Sequence, residues 1–167
     1  TVRDSTAQKL AEAALREREL LLTSINENLS GTIIYRAEHL PSGGIRCSYV
    51  SAGTQAFVGV PPEKFQAQPE LLFQLIEAED LPGFHTELAR VLRSGDASDL
   101  IVRVRHATTG TIRWMHFRSR LTERRPDGTQ VRDGLVTDVT RLKAAEAQLH
   151  DLNANLEKLV QARTGEL

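Results

Sequence analysis

The run Gly134-Leu135-Val136-Thr137-Asp138-Val139-Thr140-Arg141-Leu142 constrains this chain more than any other stretch. A strand-forming segment passes into a helical pattern with no loop between them, and Asp138 and Thr140 sit at the seam. Beyond the seam Leu142, Leu149 and Leu156 recur every seven residues, with Ala145, Leu152 and Leu159 three residues after each. Alternating three- and four-residue steps keep that stripe on one side of a helix and require a partner helix. Leu142, Leu149, Leu152, Leu156 and Leu159 are therefore expected at the interface of a parallel homodimer. A folded unit that ends in such a rod is suited to passing its state along it.

Upstream, residues 5–29 read as an amphipathic helix that Ser5 or Thr6 can cap. Leu15, Leu22 and Leu29 with Ala11 and Ile25 make a partial seam, interrupted by Arg18. Residues 31–39 and 45–51 suit two strands about the turn Pro41-Ser42-Gly43-Gly44. Short helices are expected over 53–58, from Pro62 to Phe65 and over 70–76. A stronger one is expected over 81–93, capped by Asp80, with Pro82 in its first turn and Gly95 at its end. Three strands follow, over 99–106, 111–123 and 129–139, turning at Thr108-Thr109-Gly110 and Pro126-Asp127-Gly128. This order implies an α+β fold, a five-stranded antiparallel sheet with short helices on one face. One central strand must pair with both halves to close it.

Net charge is −1, unevenly spread: residues 1–99 hold 9 basic and 14 acidic side chains, residues 100–142 hold 9 and 4. The arginines of the basic part alternate with apolar residues, as in Val102-Arg103-Val104-Arg105, which reads as the wet face of a sheet. Nucleic acid is accordingly not expected as a partner. The single Cys47 excludes an internal disulfide and a cysteine-based zinc site. No apolar run reaches the roughly 18 residues of a membrane span, so no direct membrane contact is expected of this segment. A cytoplasmic segment of a longer protein is expected, divided into a linker helix (1–29), a folded domain (30–140) and a coiled-coil helix (141–167); membrane anchoring elsewhere in the parent stays open.

Four elements together resemble the PAS family of sensory domains: Tyr49-Val50-Ser51 before a short helix, Glu79-Asp80-Leu81 before the main helix, Arg113-Trp114-Met115 opening the long strand, and Asp138-Val139-Thr140. The resemblance spans about Leu29 to Leu142. The terminal run 159–167 looks like the linker that enters a histidine-kinase dimerisation helix. The resemblance implies a cavity between sheet and helices, expected to be lined by Ile33, Tyr35, Phe57, Phe65, Leu72, Ile76, Phe84, Leu88, Met115, Phe117, Ser119, Gly134 and Val136. Period-two alternation supports part of this set, because Met115, Phe117, Ser119 and Leu121 share one face of the long strand. Trp114 lies on the other face, where the N-terminal helix is expected to cover it.

Flavin photoreceptors of this family carry a reactive Cys after the second short helix, where this chain reads Ala67-Gln68-Pro69-Glu70. Pro69 stands in place of the Cys, so no cysteinyl-flavin is expected. Haem-binding members place an axial His eleven residues before the Gly that ends the main helix, a position held here by Phe84. His85 is one position on, a rotation of about 100°, so no haem is expected either. His39, His85, His106, His116 and His150 show no i, i+4 pair, and no metal site is expected, although His106 and His116 could approach across a hairpin. No catalytic constellation emerges, so this segment is not expected to be an enzyme.

Asp138 and Thr140 admit two compatible readings: an N-cap pair that satisfies free amides at the start of the helix, and, with Trp114, a relay that sets the angle between strand and rod. Two functions stay open. One is a sensory module that takes up an unidentified small ligand and signals through its coiled coil. Its output domain in the same chain is most naturally a histidine kinase of a two-component phosphorelay, with a diguanylate cyclase as the alternative. The other is a ligand-free dimerisation module with a filled core.

Overall fold

In the computed structural model, residues 2–28 and 31–165 are described, with side chains at 5–25 and 31–165. The chain runs α1 (Val2–Asn28), β1 (Thr32–His39), β2 (Ile45–Val50), α2 (Gly53–Val58), α3 (Pro62–Ala67), α4 (Leu71–Leu75), α5 (Leu81–Ser94), β3 (Ser98–Arg105), β4 (Ile112–Arg124), β5 (Gln130–Asp138) and α6 (Thr140–Gly165). The strands form one antiparallel sheet in the order β2-β1-β5-β4-β3. The central strand that the sequence order requires is thus the last one, β5. The first hairpin leaves one edge of β1 free and the β3–β4–β5 meander leaves one edge of β5 free. Joining those two edges satisfies both rows of backbone amides and carbonyls at once.

The pairing register stacks inward-facing side chains in rows. Tyr35 and Ser119 flank Gly134, while Ile33 and Phe117 flank Val136. These residues meet Val58, Phe65, Leu75, Ile76, Val102 and Val104 in one hydrophobic cluster, with Met115 fully buried. Helix α5 stops at Gly95, whose φ of 80° is the left-handed geometry glycine adopts without penalty, and whose N–H donates to the Val91 carbonyl at 2.9 Å. The apolar alternation of the long strand holds: Met115 and Phe117 are buried while Arg118 and Arg120 are exposed.

Several expectations are corrected. Helix α1 begins at Val2, so Ser5 and Thr6 lie within its first turns and do not cap it. Leu29, Ser30, Glu166 and Leu167 lie outside the described residues. Asp80 precedes α5 but makes no side-chain cap. Its carboxylate instead accepts the Arg103 backbone N–H at 2.7 Å and the Arg103 guanidinium at 3.0 and 2.7 Å. A carboxylate this close to a guanidinium prefers the ion pair to a lone amide, and the pairing holds Asp80 below the usual carboxylate range. Trp114 is half-buried, and what lies over it is Arg103 and Lys143, each 5.5 Å from its ring centroid; the described side chains of α1 are all exposed. The strands β3, β4 and β5 each begin or end within a residue of expectation.

Gly134 is the position where the sheet tolerates no side chain. A Cβ there would lie 2.3–2.5 Å from ring atoms of Tyr35. Gly134→Ala should therefore destabilise the fold by about 1–3 kcal/mol, the usual cost of overpacking. Chemical denaturation of Gly134→Ala, Tyr35→Ala and the double variant checks this: the second substitution should cost less in the presence of the first. Strict additivity would mean that the ring and the glycine do not constrain one another.

Candidate functional site

Between the sheet and helices α3–α5 lies a half-open cavity of about 160 Å³. Strand alternation builds its floor: Ile33 and Tyr35 from β1, Met115, Phe117 and Ser119 from β4, Arg132 and Val136 from β5. Phe65, Leu72, Phe84 and Leu88 close it from the helices. The Phe84 ring stands edge-on to Phe117 at 5.5 Å and to Phe73 at 6.0 Å, a geometry aromatic rings favour. An apolar cavity of about 150 Å³ takes up benzene, whereas drug-sized ligands occupy about 300–1,000 Å³. The space suits a single small ring or a short branched chain. Pro69 lines it on the α4 side, and His85 lies exposed on α5 with its ring 5.0 Å from Phe73.

Three residues expected in the lining are not there. Phe57 packs at the edge of the core, its ring 5.5 Å from the Arg113 guanidinium. Ile76 is spent on the core itself, bridged to Val104 of β3. Gly134 is roofed by Tyr35. The two strand histidines do not converge. His106 Nδ1 accepts the Thr108 and Thr109 N–H groups, whereas His116 Nε2 lies 2.6 Å from Asp99 Oδ1.

The expected lining also missed the polar end of the cavity. Arg132 is 1% exposed. Its Nε donates to Ser119 Oγ at 3.3 Å, and its terminal nitrogens donate to the Val91 carbonyl in the last turn of α5 and to the Asp96 carbonyl just beyond that helix. Ser119 Oγ lies 2.8 Å from Ser98 Oγ. Burial pushes the Tyr35 phenol and the Cys47 thiol up, and lowers the Arg132 guanidinium. His39, also in the lining, is lowered to about 4 by burial and then by the nearby Arg132 charge. Period two would have found Arg132, since it shares a face with Gly134 and Val136. Counting the arginines of this region as a wet face hid it.

The strand–helix joint is a compact hydrogen-bonded knot. Asp138 Oδ1 accepts the Thr140 N–H at 2.9 Å and its hydroxyl at 2.6 Å. The Thr140 oxygen in turn accepts the Trp114 backbone N–H at 3.0 Å, and Val139 N–H donates to the Trp114 carbonyl at 2.8 Å. Arg113 reaches Asp138 Oδ2 at 3.3 Å. Asp138 therefore does more than satisfy a free amide of α6. It ties the first turn of that helix to β4. Arg103, held at the start of α5 by Asp80 and Glu79, lies over Trp114, as does Lys143 of α6.

Because His39 titrates lower in the folded chain than its ordinary 6.5, the unfolded chain binds the extra proton between these values. Its contribution is complete above about pH 6.5 and is lost as pH falls towards 4. The carboxylates lowered by ion pairs, Asp80 and Asp133, act below that window. Wild type should thus lose melting temperature between pH 6.5 and 4.5 more steeply than His39→Gln. Parallel profiles would show that His39 carries no such penalty.

With the geometry in view, comparison with known proteins gives a consistent family. No curated protein matches the chain in sequence. Among solved structures, a domain of a putative light and redox sensing histidine kinase from Haloarcula marismortui superposes with a TM-score of 0.56 at 17% identity, covering 75% of this chain and 98% of that one. The N-terminal domain of a diguanylate cyclase with a PAS/PAC sensor from Marinobacter aquaeolei gives 0.57 at 15%, covering 67% and 98%. The LOV domain of a blue-light activated histidine kinase from Erythrobacter litoralis gives 0.53 at 16%, covering 67% and 98%. At these identities the likeness is one of fold. The family model of the PAS fold matches residues 48–134, just over half of the chain, and the chain belongs to that family.

Proposed function

We propose that this segment is a sensory module without catalytic activity, which reads occupancy of its inner cavity and transmits it through α6 to an output domain in the same chain. The observation that carries this reading is the knot at Asp138, Thr140 and Trp114. Cavity floor and output helix share one strand pair: Met115 and Phe117 line the cavity, Met115 pairs with Asp138, and Trp114 bonds the first residue of α6. A shift of β4 against β5 therefore moves the base of α6. A second line of contact runs from the start of α5 through Asp80 and Arg103 to Trp114 and Lys143. Helix α5 supplies Phe84 and Leu88 to the cavity, so a ligand that displaces it would load this line as well.

A histidine kinase is the favoured output. Two of the structural relatives are parts of histidine kinases and one is part of a diguanylate cyclase, and the run 159–165 has the character of a helical linker. The heptad leucines support a parallel dimer. Leu142, Leu149, Leu152, Leu156 and Leu159 are between 50% and 65% exposed on the single chain, a continuous apolar stripe that a second copy of α6 would bury. Each leucine so buried contributes about 1.5–3 kcal/mol before entropy costs. No helix among the described residues is long and apolar enough to cross a membrane.

Sedimentation tests the dimer: Leu152→Asp with Leu156→Asp should give a monomer, and a mutant pair as tight as wild type would place the interface elsewhere. Coupling is tested in the protein joined to its output domain. Asp138→Ala should change output while costing no more stability than Asp127→Ala, which removes the 2.8 Å bond to Thr129 N–H in the distal β4–β5 turn. Asp127→Ala should leave output unchanged. Equal effects on output at equal melting loss would reduce Asp138 to a stabilising cap.

A further inference from the structure

The cavity is apolar except for one end, and that end carries a buried charge whose hydrogen-bond partners among the described residues include no carboxylate. Arg132 is almost wholly buried, yet the partners of its guanidinium are neutral: the Ser119 hydroxyl and the Val91 and Asp96 carbonyls. A guanidinium has five N–H donors, and these bonds engage three of them. The carboxylates nearest by position are committed elsewhere. Glu87, in the cavity lining, is held by Arg90 at 2.8 and 2.9 Å, and the Asp96 carboxylate is held by the same Arg90 at 3.3 Å. The other titratable groups of the lining supply no anion at neutral pH. Burial keeps the Tyr35 phenol and the Cys47 thiol protonated and His39 neutral. A charge taken out of water without a direct ion pair is costly, and Arg132 is part of the cavity lining.

We propose that the cavity binds a small organic monocarboxylate, its anionic head on Arg132 and its apolar body, about the size of a benzene ring, against Met115, Phe117 and Phe84. This rests on the reading of the cavity as a ligand site and names the chemistry that enters it. Each part follows from the lining. The planar fork of arginine matches a carboxylate with two parallel hydrogen bonds. Ser119 and Ser98, hydrogen-bonded to each other at the same end, offer hydroxyls beside it. A volume of about 160 Å³ matches a single ring, and the apolar remainder disfavours a second charge. A merely structural Arg132, tying the α5–β3 turn, predicts no preference between a carboxylate and its neutral isostere.

Benzoate and benzamide make that comparison, since they share ring and shape and differ in charge. Met115 is the only methionine in the chain and its side chain is fully buried in the lining, so its methyl resonance reports occupancy of this cavity. Titration of the 167-residue chain at neutral pH should show benzoate binding at least about tenfold tighter than benzamide, as a charge-assisted bidentate bond requires. In Arg132→Gln the preference should vanish, while Arg132→Lys should keep part of it. Should Arg132→Gln fail to fold, the wild-type ratio and the Lys variant decide. Equal affinities in wild type, or a preference that survives Arg132→Gln, overturn the anion assignment and leave the cavity reading intact. If benzoate, benzamide and benzene all fail to move the Met115 methyl, the ligand-cavity reading falls with it.

Discussion

Everything in this domain hangs on β5 lying between β1 and β4. That strand is the last to leave the sheet and the one that completes it, so its two rows of hydrogen bonds join a hairpin and a meander that are otherwise separate. Its inward residues Arg132 and Val136 line the cavity floor, with Gly134 between them under the Tyr35 ring. Its end, Asp138, opens α6. One element therefore holds the fold together, lines the cavity and leads into α6.

The cavity shows how packing and chemistry divide along that strand. At Val136 the neighbours are Ile33 and Phe117, and the region is core. At Gly134 the missing side chain leaves room for the Tyr35 ring against the backbone. At Arg132 a charge is buried among neutral acceptors. Burial of that kind costs stability wherever it is uncompensated.

Outside the sheet the ion pairs organise joints more than they add stability. Arg103 is held by Asp80 and Glu79 and stands over Trp114, so it fixes α5 relative to the strand that meets α6. Arg36 with Asp133 spans β1 and β5 on the exposed face. Such partly exposed pairs contribute little each. Their value is in geometry, because a guanidinium bound at two points holds two elements at one distance.

The sequence by itself determined the elements, the alternation of the long strand and the unbroken passage from β5 into α6. These follow from local rules: Gly95 and the Pro-Asp-Gly turn stop segments, period two sorts faces, and a heptad sorts a helix. Most of the cavity lining was legible for the same reason. What local rules did not decide was competition between partners distant in the chain. Asp80 looked like a cap and became the partner of Arg103, 23 residues away, because a guanidinium outbids a lone amide. Trp114 looked like a seat for the first helix and met Arg103 and Lys143. Arg132 shared a face with Gly134 and Val136, yet its place at the polar end of a cavity was set by where the carbonyls of Val91 and Asp96 come to rest. Periodicity gives the side a residue faces, but only the packed structure decides what waits on that side.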